Sequence, residues 1–272
     1  MKDLFVIACV EDEADAAITL PWARYFAERL NHKELLALHV SSTGDTPGWL
    51  TRLGVPYVSL RGDWNTAIEG LPTVFHGILA VVACNPTAPR KSLIHPKTLL
   101  RAFKNCKIAY LCINSEFEVQ SSEFEANNIS EFRISNAALT MTHRHEGKEK
   151  LVWASYLARF LGSRITIASL NYKDAGLRQK LNNNLRFTDK IFKPLNISYQ
   201  LSTLNSRLST LNSADMEAIR QLAPDLLIAR TSDPRERDLI DLLLPSLERK
   251  LLATGTPIIF LNPRDDLYIL CD

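Results

Sequence analysis

The sequence predicts an α/β protein made of two tandem, doubly wound, open sheets, each with five parallel strands. Three observations predict it. Short apolar runs rich in β-branched residues alternate with helical periodicity along the chain. The runs fall into two successive sets of five. An internal repeat relates the first helix of one set to the first helix of the other.

Strands of the first set are expected at residues 4–10, 35–40, 56–60, 78–84 and 108–113. Those of the second are expected at 138–142, 164–170, 197–201, 226–229 and 257–261. Most are almost continuously apolar, as strands covered by helices on both faces must be. The first helix places Ile18, Trp22, Tyr25, Phe26 and Leu30 on one face, and Pro21 either opens or kinks it. Further helices are expected near 64–75, 96–104, 149–161, 174–192, 214–222 and 235–253.

The repeat is specific. Leu20, Trp22, Ala23, Tyr25, Ala27 and Leu30 recur as Leu151, Trp153, Ala154, Tyr156, Ala158 and Leu161, at a constant offset of 131. Both copies follow the first strand of their set, so we read a gene duplication. The domains implied are 1–115 and 132–272, with a linker at 116–131. The linker region carries five glutamates, no lysine or arginine, and Ser-Glu-Phe beginning at Ser115, Ser122 and Ser130. It reads as a solvated connection whose phenylalanines pin it to the surface. A smaller duplication, residues 201–206 and 208–213, reads as loop from its Ser, Thr and Asn content.

Composition excludes several classes of function. A formal charge of +2 gives no broad field toward nucleic acid or an anionic membrane. The five cysteines form no C-x-x-C pair, and Cys9, Cys84 and Cys112 lie in apolar runs, as in a reducing compartment. The first apolar run is too short for a signal peptide or a membrane span, so a cytoplasmic protein is expected. Ten glycines in 272 residues is about half the usual frequency, which leaves little material for phosphate loops.

The alternation of elements, the Trp-Ala helices and the closing run Gly255-Thr-Pro-Ile-Ile-Phe-Leu261 resemble the universal stress protein family. The resemblance implies Rossmann-like domains paired about a pseudo-twofold axis within one chain. It further implies that the two halves pack through their last strands. ATP-binding members carry an acidic residue at the end of the first strand. They also carry Gly-x2-Gly-x9-Gly, then Ser or Thr, after the fourth, where glycines and helix N–H groups admit a phosphate.

Both halves depart from that pattern. Glu11 stands at the acidic position of the first half and reads as a solvated loop residue and pocket remnant. The loop 85–92 lacks glycine and contains Pro86 and Pro89, which donate no N–H. In the second half Thr142 replaces the acidic residue, and the loop 230–238 again has no glycine. Pro245 takes the place of a glycine before Ser246. Thr142, Arg230 and Ser246 are therefore the candidate ligand-binding residues of a weakened site.

Other chemistry is poorly supported. His143-Arg-His-Glu146 supplies too few ligands to close a metal site, so its histidines read as solvated. The arginines of 230–238 alternate with acids that neutralise them locally. Trp49 and Trp64 read as packing anchors. Rossmann dinucleotide, P-loop, nucleophile-elbow and zincin motifs are absent, and no cysteine has an evident catalytic partner. The expectation is a non-enzymatic protein with no catalytic residue, metal or cofactor. It acts in stress response through association with an unidentified protein partner, as a monomer or weak homodimer. The alternatives are a switch binding ATP, AMP or another anion in the second half, and an enzyme of adenylate chemistry.

Overall fold

The computed structural model describes residues 4–30, 33–115, 133–143, 148–204, 213–231 and 247–262. The chain divides into two compact units, Met1–Phe132 and Arg133–Asp272.

In the first unit β1 (Phe5–Val10), β2 (Glu34–Ser41), β3 (Tyr57–Arg61), β4 (Gly77–Cys84) and β5 (Ala109–Asn114) form parallel neighbours in the order β3-β2-β1-β4-β5. Val6, Ile7, Ala8, Cys9 and Val10 are all buried. That is the residue-level form of a strand covered on both faces. Gly77 opens β4 for a steric reason. A Cβ there would lie 2.6 Å from Ile7 Cδ1 and 3.1 Å from the Leu71 carbonyl oxygen.

Helix α1 (Glu13–Arg29) is capped by Asp12, whose carboxylate accepts from the Asp15 amide at 2.9 Å. Pro21 lies inside α1 rather than opening it, because the helix already begins at Glu13. Trp22, Tyr25 and Phe26 are buried, as the helical spacing requires. Three shorter helices follow: α2 (Gly48–Thr51), α3 (Trp64–Gly70) and α4 (Pro96–Ala102). The single turn of α2 has too few residues to show a period in the sequence.

The second unit repeats the plan. β6 (Asn136–Met141), β7 (Arg164–Leu170), β8 (Tyr199–Leu204), β9 (Leu226–Arg230) and β10 (Ile258–Leu261) run parallel in the order β10-β9-β6-β7-β8. Among the described residues its helices are α5 (Lys148–Tyr156), α6 (Ala175–Phe192), α7 (Ser213–Gln221) and α8 (Leu247–Leu252). Helix α5 continues as a π-helical turn, Leu157–Leu161, which ends at Gly162 in the left-handed region, φ 72°. Only the last part of the helix expected at 235–253 lies within the described residues.

One sequence expectation fails here. The first Leu-Ser-Thr-Leu copy forms the end of β8, in register with Ile167–Leu170 of β7. Its polar residues suit an edge strand, where alternate side chains face solvent. The acidic linker and most of the second Leu-Ser-Thr-Leu copy lie outside the described residues.

Candidate functional site

In an open doubly wound sheet a ligand site lies beyond the carboxyl ends of the strands, where strand order reverses. In the first unit that place is between β1 and β4.

Glu11 follows β1 directly, and the loop after β4 faces it. The Glu11 carboxylate accepts from Trp64 Nε1–H at 3.2 Å and from the Leu93 amide at 2.7 Å. It also accepts a short hydrogen bond from the Ser92 hydroxyl. Glu11 is therefore a fixed part of the fold, not the solvated loop residue expected from sequence. Its partners are 53 and 81–82 residues away in sequence, so no local pattern reveals them. Trp64 does more than pack, because its indole N–H holds the same carboxylate.

The region beside Glu11 is acidic. The Glu11 amide donates to Asp15 Oδ2 at 3.3 Å, and the Thr19 hydroxyl donates to the Asp15 carbonyl at 2.9 Å. Burial pushes the Asp15 carboxyl up to about 6, and the charges of Asp12 and Glu11 push the same way. Asp12, Glu13 and Asp15 thus add negative charge at the strand end. Across the gap, Asn85 Oδ1 accepts from the Thr87 amide and hydroxyl at 2.9 and 2.7 Å, folding the loop on itself.

The equivalent place in the second unit lies between β6 and β9. Thr142 follows β6 and Arg230 ends β9, so the sheet brings these two candidates to the same edge. The Thr142 carbonyl accepts from Asn184 Nδ2–H of α6 at 2.9 Å. Next to Arg230, the Thr231 hydroxyl donates to Asn262 Oδ1 at 2.7 Å. Ser246 lies outside the described residues, as do Arg235 and Arg237.

His143 is not a solvated loop histidine either. Its backbone amide donates to the Tyr172 hydroxyl at 3.2 Å, and its Nδ1 shares a 2.9 Å hydrogen bond with the same oxygen. The rings meet edge to face at 5.0 Å. This packing depends on a tyrosine just beyond the end of the neighbouring strand, which sequence spacing does not show. His145 and Glu146 lie outside the described residues. Among the described residues no group of three or more His, Cys, Asp or Glu is arranged to hold a metal.

Sequence reasoning does not single out Lys150. It is buried, and its Nζ donates to the Thr140 carbonyl. The repeat offset carries the signal, since Lys150 aligns with the buried Thr19 and so falls on the inward stripe of α5.

Among the described residues the thiols are unsuited to nucleophilic work. Cys9 and Cys112 flank Val82 in register across three strands, and Cys84 follows on the same face. Burial pushes the Cys84 thiol up to about 12 and Cys106 up to about 11, and it raises Cys9 and Cys112 as well. None is held as a thiolate near neutral pH.

No protein-family model matches the sequence, and no curated protein matches it significantly. Solved structures do match. A universal stress protein from Archaeoglobus fulgidus DSM 4304 is similar at 10% identity, with a TM-score of 0.62 over 97% of this chain and 100% of that one. A candidate universal stress protein from Pseudomonas aeruginosa UCBPP-PA14 is similar at 14% identity, with a TM-score of 0.61 over 97% and 95%. The cytoplasmic domain of a prokaryotic cation chloride cotransporter is also similar, at 14% identity and a TM-score of 0.54 over 99% and 100%. The fold is that of the universal stress proteins.

Proposed function

We propose that this chain is a universal stress protein that works in the cytoplasm, without catalysis, by associating with other proteins, and that its nucleotide pockets have decayed. The observation that carries this reading is the occupation of the first unit's switch point by Glu11. Its carboxylate accepts from Leu93, Ser92 and Trp64 where a phosphate would need donors of its own. A nucleotide entering there would have to compete with these internal hydrogen bonds. Pro86 and Pro89 offer no amide in compensation. Mass spectrometry of small molecules released from the purified protein tests the reading. It should find no nucleotide, and a stoichiometric nucleotide would overturn it.

A second reading, an anion-responsive switch, is favoured by one feature of the second unit. Thr142 puts a neutral side chain where Glu11 puts a carboxylate, and it shares its edge with Arg230. Arginine's planar fork suits a phosphate, but the glycine-free loop 230–238 limits close approach. Weak binding of a small anion is the most this site would offer.

We further propose that residues 116–131 link two domains, 1–115 and 132–272. Limited proteolysis should cut first between residues 115 and 132 and leave two fragments. First cutting inside 4–40 would refute the division.

A further inference from the structure

The repeated helix differs between its two copies. Trp22 and Trp153 are both buried, yet Tyr25 is 1% exposed and its counterpart Tyr156 is 39% exposed. Val152 at 39% and Phe160 at 41% stand four residues to either side of Tyr156, forming one exposed stripe along the helix. The stripe is ordered by ring contacts. Tyr156 meets Trp153 edge to face at 5.8 Å and Phe160 at 5.9 Å. The Arg159 guanidinium lies over the Phe160 ring, 5.7 Å from its centroid.

Two further features set this end of the helix apart. The π-helical turn Leu157–Leu161 keeps Leu157 buried while Phe160 stays outward. Such turns are rare and concentrate at functional sites. Positive charge also gathers near the stripe. Arg133 and Arg164 lie at or just before the starts of β6 and β7. The Ser163 hydroxyl donates to the Ile134 carbonyl and the Arg164 amide to the Ser135 carbonyl, tying both to the helix end. Arg133, Arg159 and Arg164 are all exposed, and none makes an ion pair among the described residues. Asp225, at the same end of the sheet, is already engaged by the Ser135 and Asn136 amides.

We propose that the Val152–Tyr156–Phe160 stripe and its three arginines dock an acidic segment with aromatic side chains, supplied by another protein. Aromatic rings would cover the stripe and carboxylates would meet the guanidiniums, a pairing that arginine's fork favours. The proposal rests on the association reading above. That reading fails on nucleotide binding, whereas this one fails on peptide binding.

The test uses the full chain and a fluorescein-labelled peptide of phenylalanine and glutamate with serine spacers, read by anisotropy. Saturable binding should weaken at least tenfold in Tyr156→Ser/Phe160→Ser and in Arg159→Glu, and it should fall with added salt. These sites are surface-exposed, so melting temperatures should stay within about 2 °C of the parent. Equal binding of a peptide with lysine for glutamate, or binding indifferent to the substitutions, would overturn the proposal. So would absence of binding in the parent chain. Binding that appears only after Phe117, Phe124 and Phe132 are changed to serine would assign the stripe to the chain's own linker and would also overturn it.

Discussion

Glu11 and Thr142 occupy the same position in the two units, 131 residues apart, and they have met different fates. Glu11 gathers three donors from two distant segments. Thr142 brings a neutral side chain to its edge, and its backbone carbonyl accepts from Asn184. The twin helices diverge as well: Tyr25 is buried and Tyr156 is exposed. The two units share strand ends and helix faces but not the use made of them. In the first unit the strand-end carboxylate is held by internal donors. The second has no carboxylate at that position and leaves a helix face uncovered among the described residues.

The largest contrast should come from the tyrosines. Tyr25→Ala should cost about 3–5 kcal/mol, as large-to-small changes in a core do, and Tyr156→Ala about 1 kcal/mol or less. Urea melts of the two variants check this. Equal losses would mean that the two helix faces are equivalent.

The strand-end residues come next. Glu11→Ala leaves the Leu93 amide and Ser92 hydroxyl without their acceptor and should cost about 1.5–3 kcal/mol. Thr142→Ala keeps the Asn184 hydrogen bond, which uses the main chain, and should cost about 1 kcal/mol or less. A Glu11 effect no larger than the Thr142 effect would break the contrast.

A further contrast is in pH. The Asp15 carboxyl titrates at about 6 in the folded unit, above its ordinary value of 3.8, so the folded state holds the proton more tightly. The sign follows. Its stabilising contribution is full below about pH 4 and is lost as pH rises through about 6. Asp15→Asn should therefore melt higher than the parent at pH 7, and the gap should close at pH 4. A gap that widens on acidification would show the opposite sign. The counterpart of Asp15 at the repeat offset is Glu146, which lies outside the described residues.

Much of the fold is legible because its signals are local. Ten apolar runs mark ten strands within about two residues at most ends, since strands buried on both faces cannot hide in composition. The Trp-Ala repeat relates the first helices of the two units. The pieces that escape the sequence depend on tertiary neighbours. A single-turn helix at Gly48–Thr51 has no period, and the polar end of edge strand β8, beyond the expected 197–201, imitates a loop. At the site, the acidic position and its departure from a phosphate cradle are readable. The donors to Glu11 are not, because they arrive from α3 and from the loop before α4. His143 misleads for the same reason, as its partner Tyr172 lies 29 residues on.

The central claim is that the first unit's site is closed by its own carboxylate, and calorimetric titration of the full chain with Mg-ATP, with AMP as control, tests it most directly. Losing even three charge-assisted hydrogen bonds, at about 1.5–3 kcal/mol each, weakens binding by several orders of magnitude. We expect no saturable heat in the micromolar range, and any millimolar binding should be lost in Arg230→Ala or Ser246→Ala and unaffected by Glu11→Gln. Saturable micromolar binding that is altered by Glu11→Gln would contradict the claim.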